Sequence, residues 1–131
     1  MRKLIYVIIL ATISVFTSCE YDILDSKPGE PLPPVSNVTQ TVNGTNVTLS
    51  WNLPTSYPAD VIQPVSVVVR ITKDGVAAGT HVLNNAPTNF TYSGYESGSK
   101  YRFTVKVRAN VDTVEPHLSN LRYSPGVTVE I

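Results

Sequence analysis

The sequence predicts an all-β fold, a two-sheet sandwich of seven strands that follows an N-terminal apolar segment and a linker. Beyond the apolar segment, no stretch shows the sustained 3.6-residue period of an amphipathic helix. Short runs of alternating apolar and polar residues recur instead, with turn-forming residues between them. About 100 residues remain for this domain, which is enough to bury one core but not two.

Four strands are predicted in the first half of the domain. The Asn43-Gly44 pair between the first two strands is a strong tight-turn signal, because both residues tolerate positive φ. The third strand has valine or isoleucine at every second position, which turns Val68 outward. The fourth strand starts with small residues and is predicted to lie at a sheet edge. These strands are Val35–Val42, Asn46–Asn52, Val65–Thr72 and Val76–Leu83, and Leu53–Gln63 is predicted to be a loop.

Three further strands complete the predicted sandwich. In the strongest of them, Tyr101–Ala109, aromatic and valine residues alternate with polar ones, so that Arg102, Lys106 and Arg108 face water. The other two are Thr88–Tyr92 and Val127–Ile131, and Asn110–Tyr123 is predicted to be a long loop.

Several short motifs in this domain stand at the spacings of one known family. A core tryptophan, Trp51, lies in the second strand, and a Tyr-x-Phe-x-Val strand starts at Tyr101 after a Ser-Gly turn. With these motifs, residues 33–131 resemble a fibronectin type III domain. The resemblance implies a seven-stranded immunoglobulin-like sandwich with a tyrosine corner, in which the hydroxyl of Tyr101 bonds to nearby backbone. The other matching segments are Pro33-Pro34-Val35, Phe90-Thr91-Tyr92-Ser93-Gly94-Tyr95 and Ser124-Pro125.

The chain departs from the fibronectin type III pattern in three places. Tyr95 stands where the family prefers leucine, and the predicted loop after Ala109 is longer than usual. No Arg-Gly-Asp sequence occurs, so the integrin binding known in that family does not transfer to this chain.

The N-terminus has the layout of an export signal. Arg2 and Lys3 are followed by an almost unbroken apolar run from Leu4 to Phe16, and then by the small residues Thr17 and Ser18. A confident membrane span needs about 18 or more apolar residues, and this run is shorter. Residues 1–18 are therefore predicted to be a removable signal peptide.

Cys19, the only cysteine of the chain, follows this signal directly. The stretch Phe16-Thr17-Ser18-Cys19 resembles the lipobox of bacterial lipoproteins, with phenylalanine where leucine is more usual. The resemblance implies cleavage before Cys19 and attachment of lipid to its sulfur. At least two acyl chains would result, which is what stable membrane anchoring requires. The alternative is an ordinary secretory signal that happens to precede a cysteine.

Residues 19–32 are predicted to be an acidic tether. Four acidic residues oppose one lysine, and the prolines and glycine disfavour helix and sheet. Acidic residues close behind a lipidated cysteine also resemble the surface-export signal of Bacteroidetes-type lipoproteins. Plain linker composition is the alternative reading. The acidic residues are Glu20, Asp22, Asp25 and Glu30.

Charge and composition exclude several classes of function. Loss of Arg2 and Lys3 with the signal would leave eight basic and ten acidic residues, a net charge of −2. Nucleic-acid binding is therefore not expected, because it requires a basic excess. His81 and His117 stand 36 positions apart, and no serine lies in a Gly-x-Ser-x-Gly motif. Neither an enzyme nor a cofactor or metal site is predicted.

Two loops of the predicted sandwich are candidates for binding. In the fibronectin type III family, the loop after Trp51 and the loop after Ala109 meet at one end of the sandwich. Loops on a rigid scaffold often carry binding sites, and tyrosines beside polar groups suit sugar rings or proteins. The alternative is that these residues only pack. The candidate binding residues are Tyr57, Asp60, His117, Arg122 and Tyr123.

Asp112-Thr113-Val114 resembles the acceptor for O-glycans in Bacteroidetes-type proteins, which makes Thr113 a candidate glycosylation site. Taken together, the sequence predicts a non-catalytic binding or adhesion module, held by lipid on Cys19 at the outer membrane. Its predicted place is the cell surface, with the periplasmic face as the alternative. Its partner would be a glycan or an envelope protein, in a glycan-handling or surface assembly complex. The rival hypothesis is a purely structural spacer or accessory subunit.

Overall fold

The computed structural model describes residues 25–26, 31–112 and 118–131, and for residues 25–26 it describes the backbone alone. These residues form strands and turns with no helix among them, so the predicted all-β class is confirmed. The strands are β1 (Asp25–Ser26), β2 (Ser36–Asn43), β3 (Asn46–Asn52), β4 (Val61–Lys73), β5 (Val76–Leu83), β6 (Asn89–Tyr92), β7 (Tyr101–Val111), β8 (Leu118–Ser119), β9 (Leu121–Tyr123) and β10 (Val127–Glu130).

Two antiparallel sheets account for most of the described residues. The smaller has three strands in the order β2-β3-β6. The larger has the order β10-β7-β4-β5, and β9 also pairs with β7, which makes five strands. β5 lies at an edge of this sheet, as predicted. β1 and β8 form a separate two-residue parallel pair.

One hydrophobic core is shared by the two sheets, an arrangement consistent with a β-sandwich. The alternation predicted for β3, β4 and β7 is confirmed, because every second residue is buried in β3, in β7 and in β4 from Val65 to Ile71. Val67 and Val69 have no exposed surface, while Val68 between them is partly exposed on the opposite face. The buried apolar residues are Leu32, Val35, Val47, Leu49, Trp51, Val65, Val67, Val69, Ile71, Tyr101, Phe103, Val105, Val107, Ala109 and Val111.

Trp51 ties the smaller sheet to the segment before β6. Its side chain is 3% exposed, and its indole Nε1 donates a hydrogen bond to the carbonyl oxygen of Pro87 at 2.9 Å. The backbone N–H of Trp51 donates to the carbonyl of Thr88 at 3.0 Å. The one polar atom of the buried ring is therefore satisfied, which removes the cost of burying it.

The hydroxyl of Tyr101 makes the backbone contact expected of a tyrosine corner. It donates to the carbonyl oxygen of Gly94 at 3.1 Å and accepts from the N–H of Glu96 at 3.1 Å. The ring of Tyr101 lies among the rings of Tyr92, Tyr95 and Phe103, with centroid distances of 5.2–6.2 Å. Tyr95 therefore packs on the core from the position where the family prefers leucine.

The predicted loop Leu53–Gln63 is wrong at its end, because β4 begins at Val61. Val61 pairs with Val111 and Ile62 with Asn110, since β7 continues two residues beyond its predicted end. The pairing is interrupted between Ile62 and Ser66. Pro64 lies in this interruption, where its missing N–H costs no ladder hydrogen bond. Because Gln63 and Pro64 interrupt the apolar pattern, the sequence does not show that the strand starts at Val61, where pairing with β7 stabilises it.

The predicted loop Asn110–Tyr123 is also wrong in part. Val111 is a buried strand residue of β7, and two short strands, β8 and β9, follow within the same stretch. Strands of two and three residues are too short to show an alternating pattern, so only their partners define them. The tether is in contact with the domain as well, because Leu32 is 1% exposed and β1 pairs with β8.

Candidate functional site

The two loops predicted to carry a binding site do meet at one end of the molecule. The N–H of Asp112 donates to the carbonyl of Asp60 at 2.8 Å, and Val111 pairs with Val61 beside it. The loop after Trp51 and the segment after Ala109 are therefore joined by backbone hydrogen bonds. His117, Thr113 and Cys19 lie outside the described residues.

Asp60 and Arg122 form a bidentate ion pair at this end. Arg122 Nη1 lies 2.9 Å from Asp60 Oδ1, and Nη2 lies 2.8 Å from Oδ2. The Arg122 side chain is 10% exposed and that of Asp60 is 26% exposed. A parallel pair of charged hydrogen bonds in this geometry fixes both side chains. The pair fastens the residue before β4 to β9, and each charge neutralises the other.

Tyr57 lies at the same end and is half-buried against the core. It lines a shallow cleft of about 260 Å³ together with Ser56, Pro58, Pro31 and Pro33. Burial raises the pKa of Tyr57 above its ordinary value of 10.0, because the charged phenolate is harder to solvate there. Tyr57 therefore packs against the core on one side and is open to the cleft on the other.

The raised pKa of Tyr57 predicts a loss of stability at alkaline pH. Between pH 10.0 and the higher folded pKa, the folded chain keeps a proton that the unfolded chain has lost, so stability falls as pH rises. Tyr57→Phe should flatten this fall. Urea unfolding of wild type and variant at about pH 8 and about pH 11 measures it. Equal losses in both proteins would mean that the phenol is fully solvated.

Tyr123 lies on a different surface from Tyr57, Asp60 and Arg122. In the pairing of β9 with β7, Arg122 stands opposite the buried Ala109, whereas Tyr123 stands opposite Arg108 on the outer face. Successive residues of a strand point to opposite faces, so Arg122 turns toward Asp60 and Tyr123 turns away. The structure therefore brings Tyr57, Asp60 and Arg122 to the loop end and leaves Tyr123, 48% exposed, on the sheet.

The outer face of the five-stranded sheet carries a groove, here called the sheet groove, of about 370 Å³. Its floor combines apolar, hydroxyl and cationic side chains from β4, β5 and β7, with Tyr123 at one end. Val82, at the β5 side, is 49% exposed. The lining residues are Val68, Arg70, Thr80, Val82, Thr104, Lys106 and Tyr123.

Most of the charged side chains described on this face are cationic. Arg70, Lys106 and Arg108 make no ion pair within the described part of the chain. Arg102, on the same face, differs because Glu130 Oε1 lies 2.7 Å from its Nη2 and 2.9 Å from its Nε. The face thus holds three cations without an acidic partner, next to one that is already neutralised.

A larger cleft, of about 590 Å³, lies at the opposite end from Asp60 and Arg122. Arg102 pairs with Glu130 there, and Asp74 Oδ1 accepts a hydrogen bond from the backbone N–H of Lys100 at 2.8 Å. This cleft therefore has cations and carboxylates side by side, whereas the charged residues that line the sheet groove are both cationic.

The described ranges contain no cluster of three or more His, Cys, Asp or Glu side chains able to hold a metal ion. His81 is exposed and packs on Phe90 at a ring-centroid distance of 4.8 Å. No helix among the same residues is long and apolar enough to cross a membrane.

Sequence reasoning did not identify the sheet groove. The alternation of β7 already predicted that Lys106 and Arg108 face water. The missing information was the register of β4 against β7, which sets Val68 opposite Lys106 and Arg70 opposite Thr104. Long-range pairing of this kind leaves no signal in a single sequence.

The comparisons with known proteins add a family but no function. No curated protein matches the sequence. The family described as Domain of unknown function (DUF4945) matches residues 19–131, which begin at Cys19 and include every described strand. Because this match covers far more than half of the sequence, the chain belongs to the DUF4945 family.

Proposed function

We propose that this chain is a lipid-anchored protein of a bacterial outer membrane and acts as a non-catalytic binding module. The sequence support for the anchor is the signal-like residues 1–18 followed directly by Cys19. A second support is the family match, which starts at Cys19, the residue that cleavage would leave at the N-terminus.

We further propose that the domain is a fibronectin type III-like sandwich. When the short strands β1, β8 and β9 are set aside, seven strands remain, three in one sheet and four in the other. The buried Trp51 of β3 and the Tyr101 hydroxyl bonded to Gly94 are the features that the sequence resemblance implied. These three points support this sandwich type.

The observation that carries the binding function is the cationic sheet groove. The groove has exposed cationic side chains beside an aromatic ring and apolar side chains. These cations have no acidic partner among the described residues, so they can attract an anionic ligand. A surface that only has to be soluble does not need this arrangement, whereas a binding surface does.

A structural spacer is the second candidate, and the loop end favours it. There the ion pair of Asp60 and Arg122 and the packing of Tyr57 engage three of the five residues predicted to bind a ligand. A spacer requires only that the ends of the domain are rigid. The sheet groove is the feature that a spacer leaves unexplained.

The anchor is tested by replacing Cys19. Cys19→Ala should abolish incorporation of labelled fatty acid and move the protein from the membrane fraction to the soluble fraction, because the sulfur that carries the lipid is gone. Ser18→Ala is the matched control and should remain labelled, because alanine is also small. A Cys19→Ala protein that stays with membranes, together with an unlabelled wild type, would contradict the anchor. Protease access on intact cells then distinguishes the cell surface from the periplasmic face.

A further inference from the structure

We infer that the sheet groove binds a linear acidic polysaccharide, whose carboxylates lie along Arg70, Lys106 and Arg108 and one of whose sugar rings stacks on Tyr123. This inference rests on the proposed function of the chain as a binding module and names the chemical class of its ligand.

Charge is unevenly distributed over the described surface of the molecule. Without residues 1–18 the chain has eight basic and ten acidic residues, so it has no basic excess overall. Yet among the described residues the outer face of the five-stranded sheet carries four basic residues and only one acidic residue, Glu130. The other acids whose side chains the structure describes, Asp60, Asp74, Glu96 and Asp112, lie in turns and loops outside the strands. Such segregation creates a local positive potential that attracts anions despite the net charge.

Arg70, Lys106 and Arg108 follow one another at regular intervals across β4 and β7. Arg70 stands opposite Thr104, so Lys106 is its diagonal neighbour on β7, about 7–8 Å away. Arg108 follows two residues later on the same face, about 7 Å farther along the strand. The three side chains therefore start from points in a row of about 15 Å on the sheet, not from a cluster around one point. A row of this kind fits a polymer with repeated charges better than a single small anion.

Apolar, aromatic and hydroxyl-bearing side chains lie beside this row of cations. Sugar rings have apolar C–H faces and a rim of hydroxyls. Val68, Val82 and the half-exposed ring of Tyr123 offer apolar contacts, and Tyr123 stands next to Arg108 at the end of the row. Thr80 and Thr104 line the same floor, and the hydroxyl of Thr104 lies 3.2 Å from that of Thr128.

Gly126 keeps part of this floor open. A Cβ atom at Gly126 would lie 2.6 Å from Thr104 Cγ2 and 3.2 Å from Lys106 Cε. Glycine therefore allows the stem of Lys106 to lie along the sheet.

An acidic peptide fits this face less well than a saccharide. Extended peptides bind sheets mainly by adding a strand at an edge, where backbone N–H and C=O groups are free. In the sheet groove the central strands β4 and β7 are paired on both sides, so their ladder bonds are already formed. A ligand here has only side chains to bind, which suits the many hydroxyls of a sugar chain.

The test uses the detergent-solubilised full chain and three probes: polygalacturonate, neutral dextran and poly-glutamate. Wild type should bind polygalacturonate, with an affinity that falls as salt is raised because the cations are exposed. The triple variant Arg70→Ala/Lys106→Ala/Arg108→Ala should lose about tenfold or more in affinity, as expected for three exposed charge pairs. Tyr123→Ala should also bind more weakly than wild type, and this loss should be seen at every salt concentration.

The double variant Arg102→Ala/Glu130→Ala is the matched control. It removes a cation from the same strand and the same face together with the carboxylate that neutralises it, so the charge of the face is unchanged and affinity should change less than twofold. Thermal melting of every variant checks that the domain remains folded.

Three outcomes would overturn the inference: equal binding of polygalacturonate and dextran, preference for poly-glutamate, or unchanged affinity in the triple variant. Binding of another probe would leave the binding module standing without this ligand. Binding of no probe, together with loss of labelling in Cys19→Ala, would retain the anchor and favour the spacer.

Discussion

Trp51→Ala is expected to destabilise the domain by about 3–5 kcal/mol, the usual cost of deleting a large buried aromatic side chain. The ring is 3% exposed and lies in the core shared by the two sheets. Its removal leaves a cavity and also takes a hydrogen bond from the carbonyl of Pro87. A loss of this size is a large share of the total stability of about 5–15 kcal/mol that is typical of such domains. Urea unfolding followed by circular dichroism measures it.

Val68→Ser is the matched control for Trp51→Ala. Val68 lies on the outer face of β4, between two fully buried valines, so its replacement should cost less than about 1 kcal/mol. Trp51→Phe should fall between the two, because it keeps an aromatic ring but loses the Nε1 donor. A larger loss for Val68→Ser than for Trp51→Ala would mean that the two faces of the sheet are assigned the wrong way round.

Asp60→Ala is expected to cost about 1–3 kcal/mol, the second largest effect. The variant leaves the Arg122 guanidinium, 10% exposed, without the carboxylate that now accepts two of its hydrogen bonds. The estimate is below the 3–5 kcal/mol of a fully buried pair, because water reaches the Asp60 side. We also expect β9 to become less ordered in this variant, because Arg122 is the side chain that links this strand to the loop before β4.

A double-mutant cycle separates the ion pair from other effects of the substitution. Asp60→Ala, Arg122→Ala and the double variant are compared by urea unfolding, and a positive coupling energy is expected because the two groups are in direct contact. Arg102→Ala and Glu130→Ala form the control cycle on an exposed pair, which should give at most about 1 kcal/mol. If the cycle at Asp60 gives no more than the control, the pair does not hold the loop end together.

Much of the fold could be predicted because single strands reveal their own faces. Alternation in β3, β4 and β7 identified the inward residues, including both valines beside Val68, and Asn43-Gly44 marked the first turn. The start of β4 and the strands β8 and β9 were missed for one reason. Their strand conformation depends on pairing with β7 or with β1, and not on a pattern of their own.

The candidate site was harder to predict than the fold. A list of polar loop residues does not show which of them satisfy one another, so Asp60 and Arg122 were expected to bind a ligand although they bind each other. Tyr123 was expected beside them because it belongs to the same predicted loop as Arg122, yet the two residues lie next to each other on a strand, which turns their side chains to opposite faces. The sheet groove required the pairing of β4, β5 and β7 to be known.

The burial of Leu32 determines how an anchored domain would stand. Pro31 and Pro33, on either side of it, line the same cleft as Tyr57, so the chain enters the domain at the end where Asp60 and Arg122 lie. In a protein held by lipid on Cys19, the tether would therefore join the domain at this end. The sheet groove lies not at this point of entry but on the outer face of the five-stranded sheet.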